Sequence, residues 1–228
     1  VDGLTTYPYD VEKGKQLLDQ VGWLDHDNDP TTARVSMGIS TVVDNTEFSV
    51  TYTATDTVLH ANIAEYLQSD LQVCGITMNV NLLPADQLYA AGPDGILFGR
   101  NFDLAEIGWA TGSQPSCFLY SSTEIPTAAN GWNGLKYGGL NLTGYSNDTY
   151  DKACSTQLSS GLDMAGLQAA NREAMTLLTN DLPVLPLFYN IKVMVSRPDL
   201  CGLTLDSTSR SGLREIESLG IGQDCPVN

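Results

Sequence analysis

From Phe48 to Leu82 the apolar residues change period twice, and that order restricts the chain to an α/β arrangement. Phe48, Val50 and Tyr52 recur at every second position, the period of a strand with one buried face. Leu59, Ile63, Leu67, Leu71 and Cys74 then recur every three or four residues, as on a helix, and Gly75 suits its left-handed stop. Ile76, Met78, Val80 and Leu82 return to strict alternation. With one helix between them, the two strands are expected side by side and parallel, joined by a right-handed crossover.

The flanking segments follow the same logic. Before the unit, YDVEKGKQLLDQVGW (9–23) reads as a helix that Asp10 caps. Val11, Gly14, Leu18 and Val21, with Leu17 beside them, form its apolar stripe; Gly22 stops it, and Trp23 is expected to fold back onto its end. In the turn-rich stretch LDHDNDPTTAR, Asp25, Asp27 and Asp29 alternate as in a calcium loop. Pro30 stands where that loop needs its turning glycine and Ser36 where it needs a bidentate glutamate, so a solvated acidic turn is the better reading and calcium the weaker.

After the unit, Pro84 to Leu88 begins a short helix and PDG at 93–95 marks a turn. FDLAEIGW (102–109) reads as another strand, followed by a loop-rich region from Ala110 to Ser146. A loop of that length in a compact domain is usually functional, unless it hides elements of its own. Two helices follow, one with Tyr150, Cys154 and Leu158 on a face, the other with Leu167, Ala170, Ala174 and Leu178. LPVLPLFYN (182–190) reads as a buried strand entered through two prolines, which Ile191 to Ser196 continues or pairs with.

Charge removes whole classes of partner. The 27 acidic and 11 basic residues give a formal charge of −16, which repels phosphate backbones and anionic lipid, so nucleic acid is not expected as a partner. No apolar run approaches the ~18 residues needed to span a bilayer. Val1 does not begin a secretion signal, so either a signal was removed or the chain is a fragment of a longer protein.

Of the five cysteines, Cys74 sits at the end of the helical stripe and is expected as a buried free thiol. The others lie in or beside loops, where disulfides form in an oxidising compartment, and the expected pairs are Cys117 with Cys154 and Cys201 with Cys225. No CxxC pair occurs and only His26 and His60 could add imidazole, so a zinc site lacks its usual spacing.

Four blocks carry a resemblance. YDVEKGKQLLDQVGW, HANIAEYLQSDLQVCGITMNVNLL, FDLAEIGW, and YSNDTYDKACSTQL running through to NDLPVLPLFYNIKVMVSRPDLCGL stand in that order. Together they resemble the distal lobe of family 5 extracellular solute-binding proteins, the receptors of oligopeptide, dipeptide and nickel ABC importers. The resemblance implies an α/β periplasmic-binding-protein-like lobe of the type II, peptide-binding-protein-like class, with a mixed sheet flanked by helices. It implies two lobes that close over a ligand and dock on permease subunits at the periplasm or the outer face of the membrane. Members run to more than twice this length. Residues 1–212 are therefore expected to be the C-terminal lobe, and 213–228 a tail returning to an N-terminal lobe that this chain lacks.

In that family the end of the strand matching FDLAEIGW faces the cleft, which carries over to Trp109 as a wall of the ligand site. Peptide receptors commonly place an ammonium-binding aspartate three residues after that tryptophan, where this chain has Gly112. Some oligopeptide receptors place an arginine three residues before it, where this chain has Glu106. A buried ammonium without an anion is expensive. Trp109 with Thr111, Ser113 and Gln114 instead suits a sugar-like or other polar uncharged ligand. The candidate binding residues are thus Glu106, Trp109, Thr111, Gly112, Ser113 and Gln114. No cofactor is expected.

An enzyme is the main alternative. Neither histidine stands in a nucleophile motif such as GxSxG. A glycosidase needs two carboxylates, and Glu106 is the better-placed one, but no second is positioned by the sequence. A sensor sharing the binding-protein fold is a third reading, since fold does not separate import from sensing. A non-enzymatic binding lobe of an importer receptor is the reading that all four blocks favour.

Overall fold

A computed structural model describes residues 3–29, 31–109, 117–134, 138–189, 191, 193–206, 211 and 213–222. The described residues of Val1–Trp109 and Cys117–Pro183 form one compact unit, and those of Val184–Asn228 belong to another. In chain order the elements are α1 (Val11–Gln20), β1 (Trp23–Leu24), β2 (Val35–Ser36), β3 (Ser49–Thr55), α2 (Val58–Val73) and β4 (Thr77–Leu83). They continue with α3 (Ala85–Leu88), α4 (Ile96–Gly99), β5 (Leu104–Ala105), α5 (Asp148–Ser159), α6 (Met164–Asp181), β6 (Leu200–Cys201) and β7 (Gly220–Ile221).

The β-α-β unit forms as its periodicity dictates. β3 and β4 pair in parallel, Ser49 opposite Thr77 through Thr55 opposite Leu83. Thr57 caps α2 by accepting from the His60 backbone N–H, and Gly75 leaves it at φ +74. Tyr52, Ala54, Ala64 and Met78 are buried between strands and helix, with Val50, Leu67, Leu71 and Leu82 around them. Leu59 and Val80 are exposed instead, Val80 because β4 is an edge strand of a sheet ordered β4-β3-β5.

FDLAEIGW yields a much shorter strand than its pattern suggests. β5 pairs in parallel with β3 only at Leu104 and Ala105, with Glu106 N–H adding a bond to Thr53 O at 3.0 Å. Just upstream, the Asp103 carboxylate takes the Thr51 N–H at 2.8 Å. A side chain thus satisfies a donor of the central strand. Behind the sheet, Leu88, Leu97, Phe98 and Leu142 form a second core with Leu83, Ala105 and Ile107 against it.

α1 follows its cap, with Asp10 accepting from Lys13 N–H at 2.9 Å. Its stripe is shallower than expected, since Leu17 and Val21 are exposed. Trp23 does not fold back onto the helix; it joins β1, which pairs antiparallel with β2, and its ring stacks on Phe48 at 4.2 Å between centroids. A sheet partner and an aromatic face offer more than a helix end. Gly22, at φ +94, stands where a Cβ would lie 2.6 Å from Met37 O. The buried Arg34 locks this corner, donating to Asp19, to Trp23 O at 2.8 Å and to Cys74 O at 2.8 Å. Cys74 is free, as expected, but only half-buried.

The loop-rich stretch after the sheet carries short structure of its own, three single turns of 3-10 helix at Cys117–Tyr120, Ser122–Glu124 and Ala128–Asn130. Side-chain amides pin it: Asn141, fully buried, donates to Ser121 O and Tyr145 O, each at 2.8 Å. Cys117 and Cys154 form the expected disulfide, which ties this stretch to α5. On α5 the buried positions are Tyr150, Ala153, Cys154 and Gln157; Leu158 is exposed, one step out of that phase. α6 buries Ala170 and Ala174.

The largest correction concerns 182–196. Leu182 ends α6 in a left-handed conformation, φ 47, and no described residue from 183 to 196 is in a strand. Leu185, Leu187, Phe188, Tyr189, Ile191, Val193 and Val195 are all exposed rather than buried. Alternation makes a strand only when a neighbour supplies the ladder, and none of the described residues does. Later, Leu200 and Cys201 pair antiparallel with Ile221 and Gly220. Cys201 is disulfide-bonded; Cys225 lies outside the described residues.

Candidate functional site

In an open α/β sheet, ligand sites form beyond the carboxyl ends of the strands where the connections diverge. Here that point lies between β3 and β5: the chain leaves β3 toward β4 on one side, then returns to β5 on the other. Three elements place polar side chains there. Tyr52 and Thr55 come from β3, His60 from the first turn of α2, and Glu106 from the residue after β5.

These side chains form two hydrogen-bonded pairs, Tyr52 with Glu106 and Thr55 with His60. The Tyr52 hydroxyl donates to Glu106 Oε2 through a very short bond. Burial, and then the bond to Glu106 and its charge, push the Tyr52 hydroxyl well above its ordinary pKa, so it stays a donor. His60 Nδ1 lies 3.0 Å from Thr55 O and 2.6 Å from Thr55 Oγ1. His60 Nε2 lies 3.9 Å from Glu106 Oε1, with the glutamate side chain only 8% exposed and the histidine 22%.

Trp109, three residues beyond Glu106, is 38% exposed. Thr111, Gly112, Ser113 and Gln114 lie outside the described residues. Of the candidate binding residues, Glu106 and Trp109 are therefore the two with a described position, and both follow β5. The reading from sequence missed Tyr52, Thr55 and His60. Their signal was positional: Tyr52 lies in the middle of the strand that feeds the crossover helix, Thr55 at its carboxyl end and His60 just after it.

The acidic turn spends its carboxylates on its own chain. Asp25 accepts from Asn28 N–H at 2.7 Å, Asp27 from Asp29 N–H at 3.0 Å, and Asp29 from Thr31 N–H at 2.9 Å. The Asp29 N–H and then the Thr32 hydroxyl hold Asp27 below the ordinary carboxylate range, and the Thr31 hydroxyl and N–H do the same for Asp29. A cleft of about 400 Å³ opens nearby, between α1 and the carboxyl end of α2, with Glu12, Lys15, Asp19 and Arg34 among its walls. It lies at the opposite end of α2 from His60, and its walls mix both charges.

Comparison with known proteins agrees with the fold. Peptide transport periplasmic protein SapA of Salmonella typhimurium is 28% identical over 142 residues, 62% of this chain and 24% of that protein. The oligopeptide-binding protein of Thermus thermophilus, solved with a pentapeptide, superposes with TM-score 0.69 at 22% identity, covering 89% of this chain and 33% of that one. NikA of Brucella suis, solved with Fe(III)-EDTA, gives TM-score 0.68 at 20% identity, covering 96% and 40%. The chain thus spans 24–40% of the length of these relatives. The model of bacterial extracellular solute-binding proteins, family 5 Middle, matches residues 2–131, more than half of the 228. The chain belongs to the family 5 bacterial extracellular solute-binding proteins.

Proposed function

We propose that this chain is the C-terminal lobe of an importer receptor. The lobe, residues 1–212 with a returning tail at 213–228, would hold a polar extracellular solute, such as a peptide or oligosaccharide, against a second lobe. Hinge closure over the ligand would create the form that docks on an ABC permease. The observation that carries this reading is the polar cluster of Tyr52, His60 and Glu106 at the switch point of the sheet, with the half-exposed Trp109 beyond it. Two features support a second lobe: the exposed apolar residues Leu185, Leu187, Phe188, Ile191, Val193 and Val195, and the fraction of the relatives' length that the chain spans. An extracytoplasmic location fits the family and the Cys117–Cys154 bridge. None of the described helices is long and apolar enough to cross a membrane.

Binding without turnover is the proposed chemistry. Glu106 is held by a tyrosine and faces a histidine, and among the described residues no second carboxylate is paired with it. The test is a thermal-shift panel of peptides, oligosaccharides and metal chelates on a protein carrying both lobes, with small-angle scattering to follow closure. A ligand that raises the melting temperature and contracts the molecule is expected. Turnover of a chromogenic glycoside that disappears in Glu106→Gln would overturn the reading.

A further inference from the structure

We infer that the cleft between α1 and the carboxyl end of α2 is a second small-molecule site, separate from the sheet end, and that it takes a carboxylate-bearing zwitterion. One unused amino group carries this. Arg34 is 4% exposed and closes the end of α2: its backbone N–H donates to Gly75 O and its Nε to Cys74 O, each at 2.8 Å. Nη1 donates to Asp19 and to Trp23 O. A guanidinium carries five N–H hydrogens, so its three bonds leave the pair on Nη2. Nη2 donates to no described residue, yet it is not among the side-chain atoms sealed from solvent. Arg34 is a wall of the cleft of about 400 Å³, which is where Nη2 opens. Closing the helix end does not require this group, and a nearly buried donor without an acceptor is costly.

Charge decides what the acceptor is. Among the cleft's walls, Arg34 is paired with Asp19, and Lys15 with Glu12 at 3.6 Å. Asp25 accepts from the Asp27 and Asn28 backbone N–H groups and has no cation against it among the described residues. A carboxylate oxygen on Nη2 makes a stronger bond than a neutral oxygen does. Lys15, one turn of α1 before Asp19, adds a second positive charge to that wall. A plain anion is opposed by Asp25 and by the −16 charge of the chain, while a plain cation leaves Nη2 without an acceptor. A molecule with both charges a few bonds apart answers both walls. None of the described walls is aromatic, so a sugar ring finds no face to stack on. The competing occupant is water alone on Nη2.

Two sources share this chemistry, free α-amino acids and betaines. The probes are L-alanine, glycine betaine, acetate and ethylammonium, each titrated into the 228-residue chain while NMR follows the Arg34 Nε–H and the Gly75 amide. Saturable shifts with a zwitterion, at concentrations about tenfold or more below those needed for acetate or ethylammonium, are the expected result. Shifts with alanine alone assign amino acids; shifts with both assign zwitterions in general, and with betaine alone a quaternary cation. Arg34→Lys keeps a positive charge but removes Nη2, and should weaken binding about tenfold, the scale of a lost charge-assisted hydrogen bond. Asp25→Asn should weaken the zwitterions and narrow their lead over acetate, so it decides the matter if Arg34→Lys fails to fold. No saturable shift with either zwitterion, acetate binding as tightly as alanine, or affinity unchanged in both variants would overturn the assignment. Shifts confined to the surroundings of Glu106 would overturn it too, while leaving solute binding at the sheet end standing.

Discussion

Two stretches of this chain carry similar alternating patterns and behave in opposite ways. Met78 and Leu82 of β4 pack against Tyr52 and α2, whereas Ile191, Val193 and Val195 are each more than three-quarters exposed. The residue types barely differ. What differs is company: β4 has seven paired positions on β3 and a helix across its face, and the later segment has no ladder among the described residues. Alternation states which face of a strand wants burial; it does not supply the neighbour that buries it.

The contrast can be broken by substitution. Met78→Ala empties a buried site between β3 and α2 and should cost about 2–5 kcal/mol by urea denaturation. A cost below ~0.5 kcal/mol would mean that the sheet core is no better packed than the exposed run. Thr57→Ala removes the cap of the crossover helix and should cost about 1 kcal/mol in the same assay.

Acid adds a tie that the exposed segment lacks. Burial raises the Asp151 pKa, but the Ser122 hydroxyl and N–H outweigh it and hold the carboxyl below its ordinary value. A depressed folded-state pKa contributes stability above the unfolded value of about 3.8, and that contribution is lost as pH falls through the folded one. Asp151→Asn should therefore flatten the fall in melting temperature on acidification in that range. An unchanged slope would remove Asp151 from the acid response. The smallest effect is expected at the other pole: Ile191→Ser should stay within about 0.5 kcal/mol in the 228-residue chain. In a protein carrying both lobes, the same substitution should cost more than in the lone chain. Equal costs would remove the support that this run lends to a covering lobe.

The same contrast explains how much of the site was legible. Trp109 and Glu106 were marked because a family pattern runs through FDLAEIGW, a local signal. His60 was visible as a residue at a helix start, but its relation to Glu106 spans 46 positions, and no local period reports such a pairing. The length of β5 failed similarly. Its pattern continues past Ala105, while the Asp103 carboxylate takes the Thr51 N–H upstream of its two paired residues.

Local sequence was sufficient wherever an element and its partner lie close along the chain. The β3-α2-β4 crossover, the Asp10 and Thr57 caps, the Gly75 stop and the free state of Cys74 follow from period and backbone preference. Tertiary structure decided what depends on distant company. It stacked Trp23 on Phe48, buried Arg34 under three acceptors and left Leu185, Leu187, Ile191, Val193 and Val195 exposed. It also brought His60 to within 3.9 Å of Glu106. Propensity acts within a few residues, whereas burial and pairing free energy belong to the surfaces that meet when the chain closes on itself.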